Sequence, residues 1–393
     1  MERAMEKQWY DTLEQAKHFR RELHRHPELS WEEKATAERI RKYLTDNDIS
    51  WRPCADTGTV ARFNGAASGQ HIALRGDIDA LPIAEQSNRP WKSLKEGCMH
   101  ACGHDGHTAT LMATAVWLNA HEKQLKGPVS LLFQPAEEGG HGAKAMIEDG
   151  ALDGVDVIYG WHNWPAIPYG KLVCPDSIVM CGNGTFEINL KGRGGHASQP
   201  ELCRDPVLAA AAITLNLQQA VSRRIAPQKP AVLSITSIEA PSGATTIPDH
   251  AHIGGSIRVP ERQTKEHINT LIRDISEATA RAYGVECEVH IHPRYEATIN
   301  HPSAAKQVRD CWLADGGAES LDNNILLPVM ASEDFSYYLE KIPGAYALIG
   351  ADDGENHHYP CHSAYYDFND KLIEKVLRLY SRLVGLPVIS DCQ

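Results

Sequence analysis

Apolar positions along the chain follow two rhythms. Between residues 11 and 44 they recur at helical spacing, with a break at His26-Pro27, because a residue before proline is driven out of the helical region. HIALRGDIDALP (71–82) instead holds a short continuous apolar run, predicting a buried strand that enters a polar turn closed by Pro82. TATLMATAVWLNAHEK predicts a helix with an apolar face. Val129 to Phe133 predicts a strand ending in a polar loop with paired glutamates, and DVIYGWHNWP (156–165) a short strand with a histidine just past its end. AYALIGA (345–351) predicts another strand, followed by a loop carrying His357, His358 and His362, and NDKLIEKVLRLYSRLVG a final helix. Strands alternating with helices predict a three-layer α/β domain. Four polar clusters fall just after its strands, where ligand sites of open α/β sheets lie.

The middle of the chain reads differently. TFEINLKG (185–192) alternates as a strand, a helical stretch runs from about Pro206 to Arg224, and AVLSITSIEA and HAHIGGSIRVP predict two strands. A helix, RQTKEHINTLIRDISEATARAYG, and a strand, VECEVHIHP, complete the order β-α-β-β-α-β, which predicts a ferredoxin-like unit. Inserted at about 184–293, it splits the first domain into segments 1–183 and 294–393.

The chain has 393 residues, enough for two or three domains, and its 42% hydrophobic and 23% charged content is that of a globular protein. Lys plus Arg number 39 against 51 Asp plus Glu, with no clustered basic stripe, which argues against nucleic acid or an anionic membrane surface as partner. The charged beginning offers no apolar run for a signal peptide, and no stretch approaches the ~18 apolar residues that span a bilayer, so a cytoplasmic location is expected. The ten cysteines are scattered rather than framework-spaced, as free thiols in a reducing compartment would be.

Residues 100–107, HACGHDGH, concentrate three histidines, a cysteine and an aspartate. Cys102 and His104 are two apart; on a helix they would diverge, whereas an extended turn points them the same way. A thiolate and an imidazole on one side of a turn suit Zn²⁺ or a similar divalent ion. Candidates to complete such a site are Glu137 and Glu138 in QPAEEGG, His162 in GWHNWP and His362 in PCHSAYYDFND, with Asp77 and Asp79 near the right strand end. Adjacent glutamates on a loop diverge, so one can hold metal while the other faces substrate and moves a proton.

RGDIDALP, HACGHDGH, QPAEEGG, the WHNWP loop, GRGGHAS and SEDF occur in the order found in the aminoacylase/carboxypeptidase family of di-metal peptidases. The chain most resembles its amidohydrolase branch, the hippurate hydrolases, N-acyl-amino-acid deacylases and auxin-conjugate hydrolases. The resemblance implies a metallopeptidase catalytic domain with an inserted satellite domain that mediates a homodimer. It implies two divalent ions (Mn²⁺ first, with Zn²⁺, Co²⁺ or Ni²⁺ also fitting) held by Cys102, His104, Glu138, His162 and His362, the cysteine bridging. It further implies Glu137 as general base and Asp79 as an acid orienting a ligand. His196 would be an oxyanion stabiliser supplied across the dimer. Arg258, on a predicted strand of the inserted unit, either binds the substrate carboxylate bidentately or faces outward as an ordinary strand arginine. Ser332, Glu333 and Asp334 would shape the pocket, while Asp77, His100, His107, His357 and His358 remain structural.

The implied reaction cleaves N-acyl amino acids, N-acetyl or N-benzoyl, to a carboxylic acid and a free amino acid. A dipeptidase, or a deacetylase of a specific acetylated diamino acid, is the alternative within the class. Outside it stand a Cys102 nucleophile, which would survive chelators, and a non-catalytic protein with one closed metal site. Gly184 stands where relatives often carry aspartate, and Cys361 where an aliphatic residue is common, so both bear on substrate details.

Overall fold

The computed structural model describes residues 2–389; Cys392 lies outside them. Contacts divide the chain into two units, one of residues up to 179, 299–326 and 334 onward, the other of residues 180–298 and 327–333. The short return at 327–333 has no counterpart in the sequence pattern.

The first unit opens with helices α1 (Glu2–Arg25) and α2 (Lys34–Asp46). Strands β1 (Trp51–Cys54), β2 (Gly58–Phe63) and β3 (Ile72–Asp77) follow, then α3 (His104–His121), β4 (Val129–Gln134), α4 (Gly142–Glu148), β5 (Val157–Pro168) and β6 (Leu172–Val173). With the strand Gly344–Asp352 these form one seven-stranded sheet, in the order β1, β2, β4, β3, β5, Gly344–Asp352, β6. Its four middle strands run parallel. Every residue of β4 is buried, as is all of Gly344–Asp352 except its last residue. Helices must therefore cover both faces, which makes three layers and explains the unbroken apolar runs.

On one face α3 packs against α1 and the helix Lys371–Leu383, with Trp9 meeting Trp117 edge-on at 4.8 Å. Gln134 pairs with Asp77, and His162 and Asp77 lie three residues beyond the paired Tyr159 and Leu74. The central parallel strands thus bring these polar residues together towards the C-terminal end of the sheet.

The second unit is an antiparallel sheet in the order Val232–Glu239, His250–Val259, Gly182–Lys191, Glu286–Pro293. Helices Pro206–Arg224 and Arg262–Tyr283 cover it around Phe186, Ile188, Ile253, Ile213, Leu217 and Ile272. Asp205 starts the first helix by accepting the Val207 and Leu208 amides, with Pro206 set at its first turn. Among the described residues no helix is long and apolar enough to cross a membrane.

Candidate metal centre

The centre forms where β3 and β4 end, beside His162 in the middle of β5, and where α3 begins. Gly103 takes φ +91°, and a Cβ there would lie 2.3 Å from Asn163 Oδ1 and 2.5 Å from Tyr366 Oη. Only glycine fits that turn. The turn swings the chain directly into α3, so His104 is the first residue of a helix rather than part of an extended turn with Cys102. His162 also differs from expectation: β5 continues to Pro168, leaving the histidine within the strand. The strand is prolonged because it stays paired with Gly344–Asp352, Leu348 lying opposite His162.

Both buried histidine donors are held from behind. His104 Nδ1 lies 3.0 Å from the Asp79 carbonyl and 3.2 Å from its Oδ1, while His162 Nδ1 lies 2.6 Å from the Asn163 carbonyl. Acceptors at Nδ1 hold a proton there, so that Nε2 is the nitrogen a metal would take, the usual arrangement of metal-ligating histidines. His162 Nε2 lies 3.3 Å from Cys102 Sγ. His104 Nε2 is buried without a hydrogen-bond partner, as is Glu138 Oε1. His362 Nε2 comes within 3.2 Å of that oxygen, off the line of a hydrogen bond. His362 has φ +67°, and its amide donates to the Ala101 carbonyl at 2.7 Å, which fastens it beside Cys102.

The donor atoms of Cys102, His104 and His162 lie within 4.8 Å of one another, as do those of Cys102, Glu138 and His362. A third such group joins His104, Glu137 and Glu138. Two donor groups share one sulfur, and buried polar atoms without partners point into the space between. This thiolate, imidazole and carboxylate set fits a pair of borderline divalent ions.

Electrostatics agree. Burial disfavours charge on His104, but Asp77, Asp79 and Glu138 outweigh it and raise its pKa to about 10. His162 is driven well below the usual histidine value by burial and by its neighbours His107 and His104. The Cys102 thiol is pushed well up by its hydrogen bond with Cys361, by burial and by Glu138. A nucleophilic cysteine needs the opposite, a depressed pKa. The centre is built to receive positive charge.

Asp77 forms a further donor group with His104 and His107, but its carboxylate is already committed. It is ion-paired with Arg75, and His107 Nδ1 lies 2.6 Å from it. His107 Nε2 is 2.7 Å from Asn163 Oδ1, so both ring nitrogens are engaged. Asp334 takes Arg75 Nη2 at 3.0 Å, Gln134 Nε2 at 2.9 Å and the Ala143 amide at 2.9 Å, and its own amide donates to Glu137 Oε1 at 3.4 Å. Asn163 and Arg75 went unnoticed in the sequence, although each sits in a motif singled out there.

His196 and Arg258 lie in the second unit. His196 is exposed on a two-residue strand paired with Thr246–Ile247, its Nδ1 accepting the Ser198 hydroxyl at 2.7 Å. Arg258 is half-buried on His250–Val259 and donates to Ser332 Oγ at 2.7 Å. Burial and nearby Arg294 lower its pKa, so the position favours an anion.

Residues 73–385 match the model of Peptidase family M20/M25/M40. N-acetylcysteine deacetylase of Bacillus subtilis is 38% identical over 344 residues, covering 87% of this chain and 90% of that one. Hippurate hydrolase of Campylobacter jejuni is 36% identical, covering 93% and 94%. A crystal structure of a dinuclear metal binding M20 peptidase from Bacillus subtilis superposes with TM-score 0.81 at 32% identity, covering 95% and 98%. The chain belongs to the M20/M25/M40 peptidase family and is a metal-dependent hydrolase of amide bonds.

Proposed function

We propose that the protein hydrolyses N-acyl amino acids, with an N-acetyl or N-benzoyl group as the acyl part, to a carboxylic acid and a free amino acid. The observation that carries this reading is the pair of donor groups sharing Cys102, with Glu137 beside them. Cys102, His104, Glu138, His162 and His362 would hold two divalent ions, Mn²⁺ as the first choice, whose chemistry is to acidify water and polarise an acyl carbonyl. Glu137, buried at 6% exposure next to these donors, takes the proton from the attacking water and carries it to the leaving amine. Asp79 holds His104 and the Glu138 amide in place. Arg258 pairs with the substrate carboxylate, and His196, from a second copy of the chain, stabilises the oxyanion.

The relatives' names support the substrate class, one being a deacetylase of N-acetylcysteine and another a hydrolase of hippurate. A homodimer through the inserted unit is supported by Leu208 and Leu215, 57% and 74% exposed on the helix Pro206–Arg224. The nine described cysteines are all free, in keeping with a cytoplasmic location.

The test is amine release from a panel of N-acetyl and N-benzoyl amino acids by Mn²⁺-loaded protein, with and without chelator. Release that stops with chelator supports the proposal. Release that persists refutes it.

A further inference from the structure

Glu33 precedes α2 and is wholly buried, yet its side chain does not cap that helix. Capping falls to Glu28, which accepts the Ala35 and Thr36 amides at 3.3 and 2.7 Å. Glu33 spends its oxygens elsewhere. Oε1 accepts the Ala136 amide at 2.9 Å across 103 residues of sequence, and Oε2 accepts the Thr57 hydroxyl at 2.9 Å.

Ala136 stands immediately before Glu137 and has φ +52°, a conformation that a residue with a Cβ keeps only when its surroundings enforce it. On the other side of Glu137, the Glu138 amide donates to Asp79 Oδ2 at 3.0 Å. The amides flanking Glu137 in sequence therefore each end on a buried carboxylate. The segment around Glu33 grips the same loop once more directly, and it also holds the Asp79 carboxylate that takes the Glu138 amide. Ser30 Oγ donates to Asp79 Oδ2 at 2.7 Å, and Trp31 Nε1 donates to the Gly140 carbonyl at 3.0 Å. Burial, with the Asp79 charge adding to it, pushes the Glu33 carboxyl up to about 7. The place is electrostatically poor for a carboxylate, and what the acid supplies there is acceptance of these two hydrogen bonds.

We propose that Glu33 is a positioning residue for Glu137: by holding the Ala136 amide it fixes the left-handed turn on which Glu137 is mounted. This rests on the reading of Glu137 as the proton carrier. Glu33→Met fills the same space with no acceptor. Glu33→Gln keeps an oxygen for the Ala136 amide and can donate its amino group to Thr57 Oγ1.

Amide exchange of segment 134–140 is measured on the metal-free protein, and kcat, KM and bound metal on the loaded protein. Glu33→Met is expected to exchange this segment about tenfold faster, the equivalent of one net hydrogen bond. Its kcat should fall about 10–100-fold, as for a misplaced catalytic group, with KM and metal content near those of the unmodified protein. Glu33→Gln should restore both readouts. Should Glu33→Met not fold, Glu33→Asp, one methylene short, takes its place with the same expectation. Unchanged exchange and kcat in Glu33→Met, or a Glu33→Gln variant as impaired as Glu33→Met, overturns the assignment. If the unmodified protein releases no amine, the proposed function fails, while the exchange rates still decide whether Glu33 holds the loop.

Discussion

Loading the centre should expel protons, and their number follows from the two donors whose pKa values are raised. Without a cation His104 stays protonated to about pH 10, because Asp77, Asp79 and Glu138 overcome the burial that opposes its charge. Cys102 stays a thiol above the ordinary cysteine range, through its hydrogen bond with Cys361 and its burial. His162, driven well below the usual histidine value, has no proton to give at neutral pH. Ions that take both Cys102 and His104 must displace both protons, since metal binds thiolate and neutral imidazole. Each displaced proton links binding to pH by about 1.36 kcal/mol per pH unit, so two amount to roughly 2.7 kcal/mol, or about 100-fold in affinity per unit. The sign is set by the raised values: both groups remain protonated through neutrality, and affinity climbs as pH rises from about 7 towards 9. Calorimetric Mn²⁺ or Zn²⁺ titrations in buffers of different ionisation enthalpy count the protons directly. Release of less than one proton, or affinity flat across this range, would refute the assignment of these two donors.

Three further outcomes follow from packing and charge. Gly106→Ala would set a Cβ 2.3 Å from the buried Phe368 ring, an overpacking that costs about 1–3 kcal/mol and is read as a lowered Tm. Gly103→Ala meets both a left-handed backbone and the Asn163 and Tyr366 side chains, so mass spectrometry should find bound metal lost while circular dichroism keeps the fold. His24 is buried, which opposes its charge, but Asp105 and Glu85 raise its pKa to about 9. Its contribution, about 3 kcal/mol by linkage, is complete below about pH 6.5 and lost as pH rises through about 9. Tm between pH 6.5 and 9.5 should therefore fall more steeply in the unmodified protein than in His24→Gln, and equal slopes would count against it.

Most elements and the donor types were legible in the sequence, because periodicity and short motifs are local. The helix predicted from Pro206 to Arg224 spans those residues, and the strand predicted from Val129 ends one residue later, at Gln134. Misreadings came where a tertiary partner decides. The sequence places His162 past a strand end because the polar pair His162-Asn163 interrupts the apolar run, yet pairing with Gly344–Asp352 carries the strand on. The two glycines flanking His104-Asp105 suggest a loop that His104 shares with Cys102, yet Gly103 alone makes the turn and Gly106 is a helical residue seated on Phe368. The polar supports were the least legible. Arg75, Asn163 and Glu33 act through partners far along the chain, and Gln134 meets Asp334 200 residues away. No spacing rule connects such pairs.

The claim that Glu137 moves the proton is tested most directly by comparing turnover of Glu137→Ala with that of the unmodified protein, both at measured metal content, on the best N-acyl amino acid. The account predicts a fall of at least about 10²–10⁴-fold, the usual contribution of general acid–base catalysis, with metal still bound. Turnover within a few-fold of the unmodified protein, at equal metal content, would contradict it.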